Sequence, residues 1–158
     1  MVEMGIPERK AECLVSLTIA ANFEYISRAR EFVLSLARTA AIGDEAVDDI
    51  VLATVEAVTN SIRHANSSCV VVEVEVSRSS DSMVVRVIDD GSGFDICPDI
   101  SEFPGLEDLG GRGIPLMHHL MDDLSINSEP GKGTEVVLLK KLKGAESGSR
   151  RKLRVVSG

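Results

Sequence analysis

Glu56, Asn60 and His64 stand at i, i+4 and i+8, with Arg63 beside them, in an otherwise apolar stretch of a 158-residue chain. At helical spacing the three side chains share one face. A carboxylate placed there can take a proton from a nucleophile. A carboxamide one turn later can offer its oxygen to Mg²⁺, a hard ion that takes few protein ligands. A solvent-facing helix side would be written the same way. A second stretch, Asp89-Asp90-Gly91-Ser92-Gly93-Phe94, follows an apolar run directly. Its glycines let backbone approach a flat ligand, and a carboxylate at a strand end can accept from an exocyclic amine, which is one way to read adenine. An ordinary Asp-Gly turn is the alternative. No helical pattern starts at once after it, so it is not the GxGxxG of a dinucleotide fold.

The third stretch is Gly110-Gly111-Arg112-Gly113, leading into Ile114. Free amides and the positive end of a helix suit phosphate, and Arg112 adds a bidentate donor; a linker ending in a cap would look similar. The fourth, Gly131-Lys132-Gly133-Thr134, offers glycines and a hydroxyl to a base or phosphate, or is simply a hairpin turn.

The elements that must position these groups are legible from periodicity. Residues 13–20 (CLVSLTIA) alternate apolar with small or polar, a half-buried strand. From Asn22, a candidate cap, apolar residues recur every three or four positions to about Ile42 and Gly43. Asp44 is the expected cap of a second helix to about Ala65, nearly all buried. Strands over 68–77 and 83–88 should pair as a hairpin, and a short helix is expected over 114–121, with Pro115 tolerated in its first turn. A last hairpin, LSINSE and TEVVLLKKL, closes the domain. The Gly-, Asp- and Pro-rich segment 89–113 between them is the first place to look for chemistry. This order predicts an α+β, two-layer α/β sandwich: a mixed, mostly antiparallel sheet covered by helices on one face.

Composition narrows the function. Residues 1–143 carry thirteen basic and twenty-four acidic groups, a net −11, which disfavours nucleic acid as a partner. With no Trp, one Tyr and four Phe, platforms for stacking bases are nearly absent as well. No apolar run approaches the roughly 18 residues that span a bilayer, so neither membrane nor export is expected, and the cytoplasm is. Cys13, Cys69 and Cys97 form no CxxC pair and are read as reduced thiols. Residues 144–158, net +3, are read as a basic flexible tail behind a domain of 1–143. His118 and His119 are read as surface or structural groups.

EAVTNSIRHA (56–65), DDGSGF (89–94), GGRGI (110–114) and GKGT (131–134), in that order, resemble the N, G1, G2 and G3 boxes of the GHKL ATPases, the Bergerat fold. The wording EAVTN and GRGIPLMHHLMDDL is similar to that of the small anti-sigma factor serine/threonine kinases of partner-switching systems. The resemblance implies ATP and Mg²⁺ as cofactors, Glu56 as general base and Asn60 as metal ligand. It gives Asp89 the adenine amino group, Gly91 and Gly93 the adenine wall, and Gly111, Arg112, Gly113 and Ile114 the phosphates, beneath a lid of 95–110. Thr134 would sit near Asp89 through water, and His64 near phosphate. The partners implied are an anti-sigma factor antagonist as phosphorylation substrate, a sigma factor, and a second copy in a homodimer. The short lid, Pro115 and Cys97-Pro98 depart from the family pattern. A sensor histidine kinase fits poorly, since the roughly forty residues ahead of the second helix cannot hold a dimerising helix pair. A nucleotide-gated protein that sequesters a partner without phosphoryl transfer is the rival reading.

Overall fold

Period-two alternation builds the sheet, and its register decides which side is core. The computed structural model describes residues 13–40, 42–64, 66–77, 81–93, 113–141 and 152–157. Six strands, β1 (Cys13–Ala20), β2 (Cys69–Ser77), β3 (Ser82–Asp89), β4 (Asp123–Glu129), β5 (Gly133–Lys141) and β6 (Lys152–Ser157), form one sheet in the order β1-β2-β3-β5-β4-β6. Every neighbouring pair is antiparallel except β4 with β6, so the expected mixed, mostly antiparallel architecture is the observed one. The hairpins β2–β3 and β4–β5 pair as their alternation predicts.

Val72, Val87 and Val136 align across three strands, as do Val74, Val85 and Leu138, and all are buried. Against this face lie three helices, α1 (Ile26–Thr39), α2 (Asp44–His64) and α3 (Gly113–Leu120), with α2 in contact with both others and with β2, β3 and β5. Ala29, Ala37, Ala53 and Ala57 are fully buried, and their short side chains let the helix backbones come close in an aliphatic core. Among the described residues no helix is long and apolar enough to cross a membrane.

The structure corrects three boundaries. Asn22 caps a 3-10 turn, Phe23–Tyr25, by accepting from the Glu24 amide, and α1 begins only afterwards. Asp44 lies inside the first turn of α2: the first intrahelical bond runs from the Val47 amide to the Gly43 carbonyl, so Gly43 holds the cap position. Glycine is acceptable there, and Asp44 and Glu45 then complement the positive helix end. Finally, residues 152–157, read as flexible tail, form β6. Without it β4 would present an open row of backbone groups, and KLRVVS has the β-branched content to cover that edge.

The sheet face turned away from the helices carries a buried ion pair, Arg86 Nη1 to Glu75 Oε2 at 2.9 Å, with residue exposures of 7% and 5%. Removing one partner strands the other charge in a poorly solvated place. Glu75→Ala should therefore cost about 3–5 kcal/mol of unfolding free energy. The double replacement Glu75→Leu, Arg86→Met should cost much less, and paired urea melts of both variants check the difference.

Candidate functional site

α2 delivers its polar stripe to the open end of the sheet because its other positions are committed to the core. Val47, Ile50, Val51, Ala53, Thr54, Ala57 and Val58 are buried, which turns Glu56 and Asn60, both partly exposed, toward the start of α3. A Cβ on Gly113 would stand 2.9 Å from Asn60 Nδ2 and 3.2 Å from Glu56 Oε2. Glycine is thus the residue that lets the first turn of α3 close onto the carboxylate and the carboxamide together. The positive end of α3 lies at the same place.

Asp89, the last residue of β3, lies across the cleft, 4% exposed. Burial pushes its carboxyl above the ordinary value of 3.8, and the negative charge of Asp90 adds to that. Opposing both, the Gly91 amide donates to Asp89 Oδ1 at 3.0 Å, and the Ser61 hydroxyl and the Thr134 amide also donate to the carboxylate. A carboxylate offers roughly four lone-pair positions. Three donors from the protein leave one for an incoming N–H.

Two glycine turns flank Asp89 and interlock. Gly93 (φ +62) passes so close to the Glu129 carbonyl, and Gly133 (φ +97) to the Asp89 carbonyl, that a Cβ at either would collide with backbone. The Gly131 amide donates to Ser92 O at 2.7 Å across the same contact. Below them the hydroxyls of Ser128 and Thr134 are 2.9 Å apart, both buried. The result is a cleft of about 510 Å³, counting its open mouth. Ala57, Ile114, Met117, Ile126 and Val136 line it, and Asn60, Ser61, His64, Asp89 and Thr134 are its polar groups. Apolar walls with a few convergent polar groups suit a flat heterocycle.

The structure thus brings Asn60, His64, Asp89, Gly93, Ile114 and Thr134 around one cleft, with Glu56 beside Gly113 at its edge and Gly91 under Asp89. Gly110, Gly111, Arg112, Phe94, Cys97 and the lid expected over 95–110 lie outside the described residues. His64 is solvent-exposed at the end of α2. Ser61 is the residue that sequence reading missed. It is a serine one position after Asn60 on a helix whose neighbouring turns bury Ala57 and Val58, and that phase points it inward.

Comparison with known proteins agrees with this geometry. A model of the histidine kinase-like ATPase domain matches residues 19–140. The serine-protein kinase RsbW of Listeria monocytogenes is 33% identical over 136 residues, covering 80% of this chain and 85% of its own. An anti-sigma F factor of Clostridium acetobutylicum is 34% identical over 134 residues, covering 80% of this chain and 92% of its own. Among solved structures, the RsbU and RsbW domains of Rv1364c from Mycobacterium tuberculosis superpose with a TM-score of 0.63 at 18% identity, a likeness of fold. That alignment covers 91% of this chain and 34% of the larger one. The histidine kinase domain of the Erythrobacter litoralis EL346 blue-light activated histidine kinase gives a TM-score of 0.50 at 24% identity, over 78% of this chain and 62% of its own. With the domain model matched over residues 19–140 and relatives more than 30% identical across most of their length, this protein is a member of the histidine kinase-like ATPase domain family, the GHKL ATPases.

Proposed function

We propose that the chain is an ATP-dependent serine/threonine protein kinase that phosphorylates a small anti-sigma factor antagonist and also acts as an anti-sigma factor, holding a sigma factor from polymerase. The observation that carries this reading is the closure of Gly113 onto Glu56 and Asn60, which sets a carboxylate and a carboxamide beside a helix N-terminus facing Asp89 across the cleft. The names of the relatives, a serine-protein kinase and an anti-sigma F factor, support it. Adenine lies on the apolar walls with its amino group on the remaining acceptor position of Asp89. The Ser61 and Thr134 hydroxyls and an intervening water complete the polar edge. Gly91 and Gly93 line the ring, and the triphosphate runs to the amides of Gly111, Arg112, Gly113 and Ile114, with the Arg112 guanidinium and His64 as further donors.

Glu56 accepts the proton of the attacking hydroxyl as its oxygen bonds the γ-phosphorus and the bond to the β–γ bridging oxygen breaks, releasing ADP. The donor set at the phosphate end fits Mg²⁺: the Asn60 carboxamide oxygen is a hard ligand and would hold the ion beside the phosphates. When bound it supplies charge neutralisation on the transferring group. A cytoplasmic place of action follows from a sigma factor as partner, and a homodimer from family likeness alone.

The rival, a nucleotide-gated sequestering protein, keeps every binding contact and loses only the transfer. Glu56→Gln separates the two: phosphate incorporation into the antagonist, followed by mass spectrometry, should fall about 10²–10⁴-fold with ADP affinity held within about threefold. A wild-type protein that binds nucleotide but modifies no antagonist decides for the rival.

Asp89 ties function to pH. Because burial holds its folded pKa above the ordinary value, its contribution to folding is whole below the unfolded pKa and is lost as pH rises through the folded one. Asp89→Asn should remove the ADP-induced rise in melting temperature, having replaced an acceptor with a donor. In the nucleotide-free proteins, the stability difference between wild type and variant should move against wild type as pH rises from about 4 to 7. Calorimetry across that range reads both effects.

A further inference from the structure

The cleft uses the first carboxylate of the Asp89-Asp90 pair, and the second is engaged elsewhere. Asp90 is exposed, yet its Oδ1 accepts the Ser68 amide at 3.0 Å and the Cys69 amide at 3.4 Å, while its Oδ2 accepts the Ser68 hydroxyl at 2.6 Å. These donors hold its carboxyl below the usual aspartate value, so both oxygens stay acceptors at neutral pH. Ser68 is also the point where the chain leaving α2 enters the sheet. Asn66 turns with φ +50, and the Ser68 carbonyl accepts the Ala21 amide at the end of β1. The last pair of the β2–β3 ladder is Val70 with Asp89, so the Asp90 side chain continues the pairing one step beyond the backbone bonds, where strands otherwise fray.

We infer that Asp90 is a positioning residue for nucleotide: by clasping Ser68 and Cys69 it locks the end of β3 to the exit of α2 and so fixes the aim of the Asp89 carboxylate across the cleft. This rests on the adenine reading of Asp89 proposed above. α2 brings Asn60 and Ser61 to the cleft and β3 brings Asp89, and the clasp joins the two where both elements end. A hydrogen bond to the adenine amino group is sensitive to angle, and a strand end free to twist would keep the acceptor but lose its direction. Contacts that do not depend on Asp89, those to phosphate and to the ring faces, should be much less affected.

That difference separates positioning from simple stabilisation. ADP and inosine diphosphate share phosphates, sugar and ring shape, but only ADP offers an amino group to a carboxylate. Titration calorimetry with both nucleotides gives the selectivity ratio directly. Asp90→Ala should weaken ADP binding about tenfold and inosine diphosphate binding less than about twofold, so the preference for ADP narrows several-fold. Asp90→Asn, which keeps Oδ1 for the two amides, should recover most of it. Ser68→Ala, which removes only the hydroxyl bond, should fall between and serves if the alanine variant at 90 does not fold. Unchanged selectivity in these variants, or equal losses for both nucleotides, overturns the inference while leaving the adenine site standing. A wild-type protein with no preference for ADP over inosine diphosphate overturns the adenine reading itself, and this inference with it.

Discussion

The Asp89 carboxylate is withdrawn almost wholly from water, and every group given to it in compensation is neutral. An arginine or lysine beside it would repay the desolvation more fully, but the pair would then be closed to a ligand. Backbone amides of Gly91 and Thr134 and the hydroxyl of Ser61 hold the charge in place without exhausting its acceptor capacity. The surrounding structure follows from that choice. The walls must be apolar to exclude competing water, the adjacent turns must be glycine at 93 and 133 so that the two backbones can approach beside the carboxylate, and α2 must present a small hydroxyl in place of a methyl group at position 61.

The interlocked turns give this arrangement its rigidity. Gly93 and Gly133 bring the β3 end and the β4–β5 hairpin into backbone contact, and the Gly131-to-Ser92 bond joins them. The glycine turn that follows Asp89 and the one on the hairpin therefore act as one body. Thr134 belongs to the hairpin yet donates its amide to Asp89, so a displacement of either turn moves both polar partners of the cleft together. Gly113 allows a related approach, of α3 onto the Asn60 and Glu56 side chains of α2. Close approach in these places is an effect of missing side chains: a Cβ at Gly93 or Gly133 would meet backbone, and one at Gly113 would meet the ends of Asn60 and Glu56.

Much of this was legible before the structure, and the reason is local periodicity. The alternation in CLVSLTIA and VVVEVEV and the 3–4 spacing in α2 are sufficient to place the strands, the long helix and its polar stripe. The four motifs stand close enough to element ends for their convergence to be anticipated. What stayed hidden depends on contacts between distant segments. Ser61 reads as one more polar residue until Asp89 is opposite it. Asp90 reads as half of an Asp-Gly turn until Ser68, twenty-two residues away, reaches it. The Gly43 cap and the 3-10 turn after Asn22 are choices between near-equivalent local geometries. β6 was misread because a short, charged, glycine-flanked stretch carries too little pattern to reveal that β4 needs a neighbour.

The two faces of the sheet answer the same electrostatic problem in opposite ways. On the face away from the helices, Glu75 and Arg86 are buried as an ion pair, each charge set against the other. On the helical face, Asp89 is buried with capacity left over, and burial raises its pKa, a cost to the fold once the carboxyl ionises. A local deficit of this kind is tolerable only where the neighbouring structure is over-determined. Two aligned rows of valine and leucine across β2, β3 and β5, the close backbone approaches at Gly93 and Gly133 and the Asp90 clasp supply that excess around a single carboxylate.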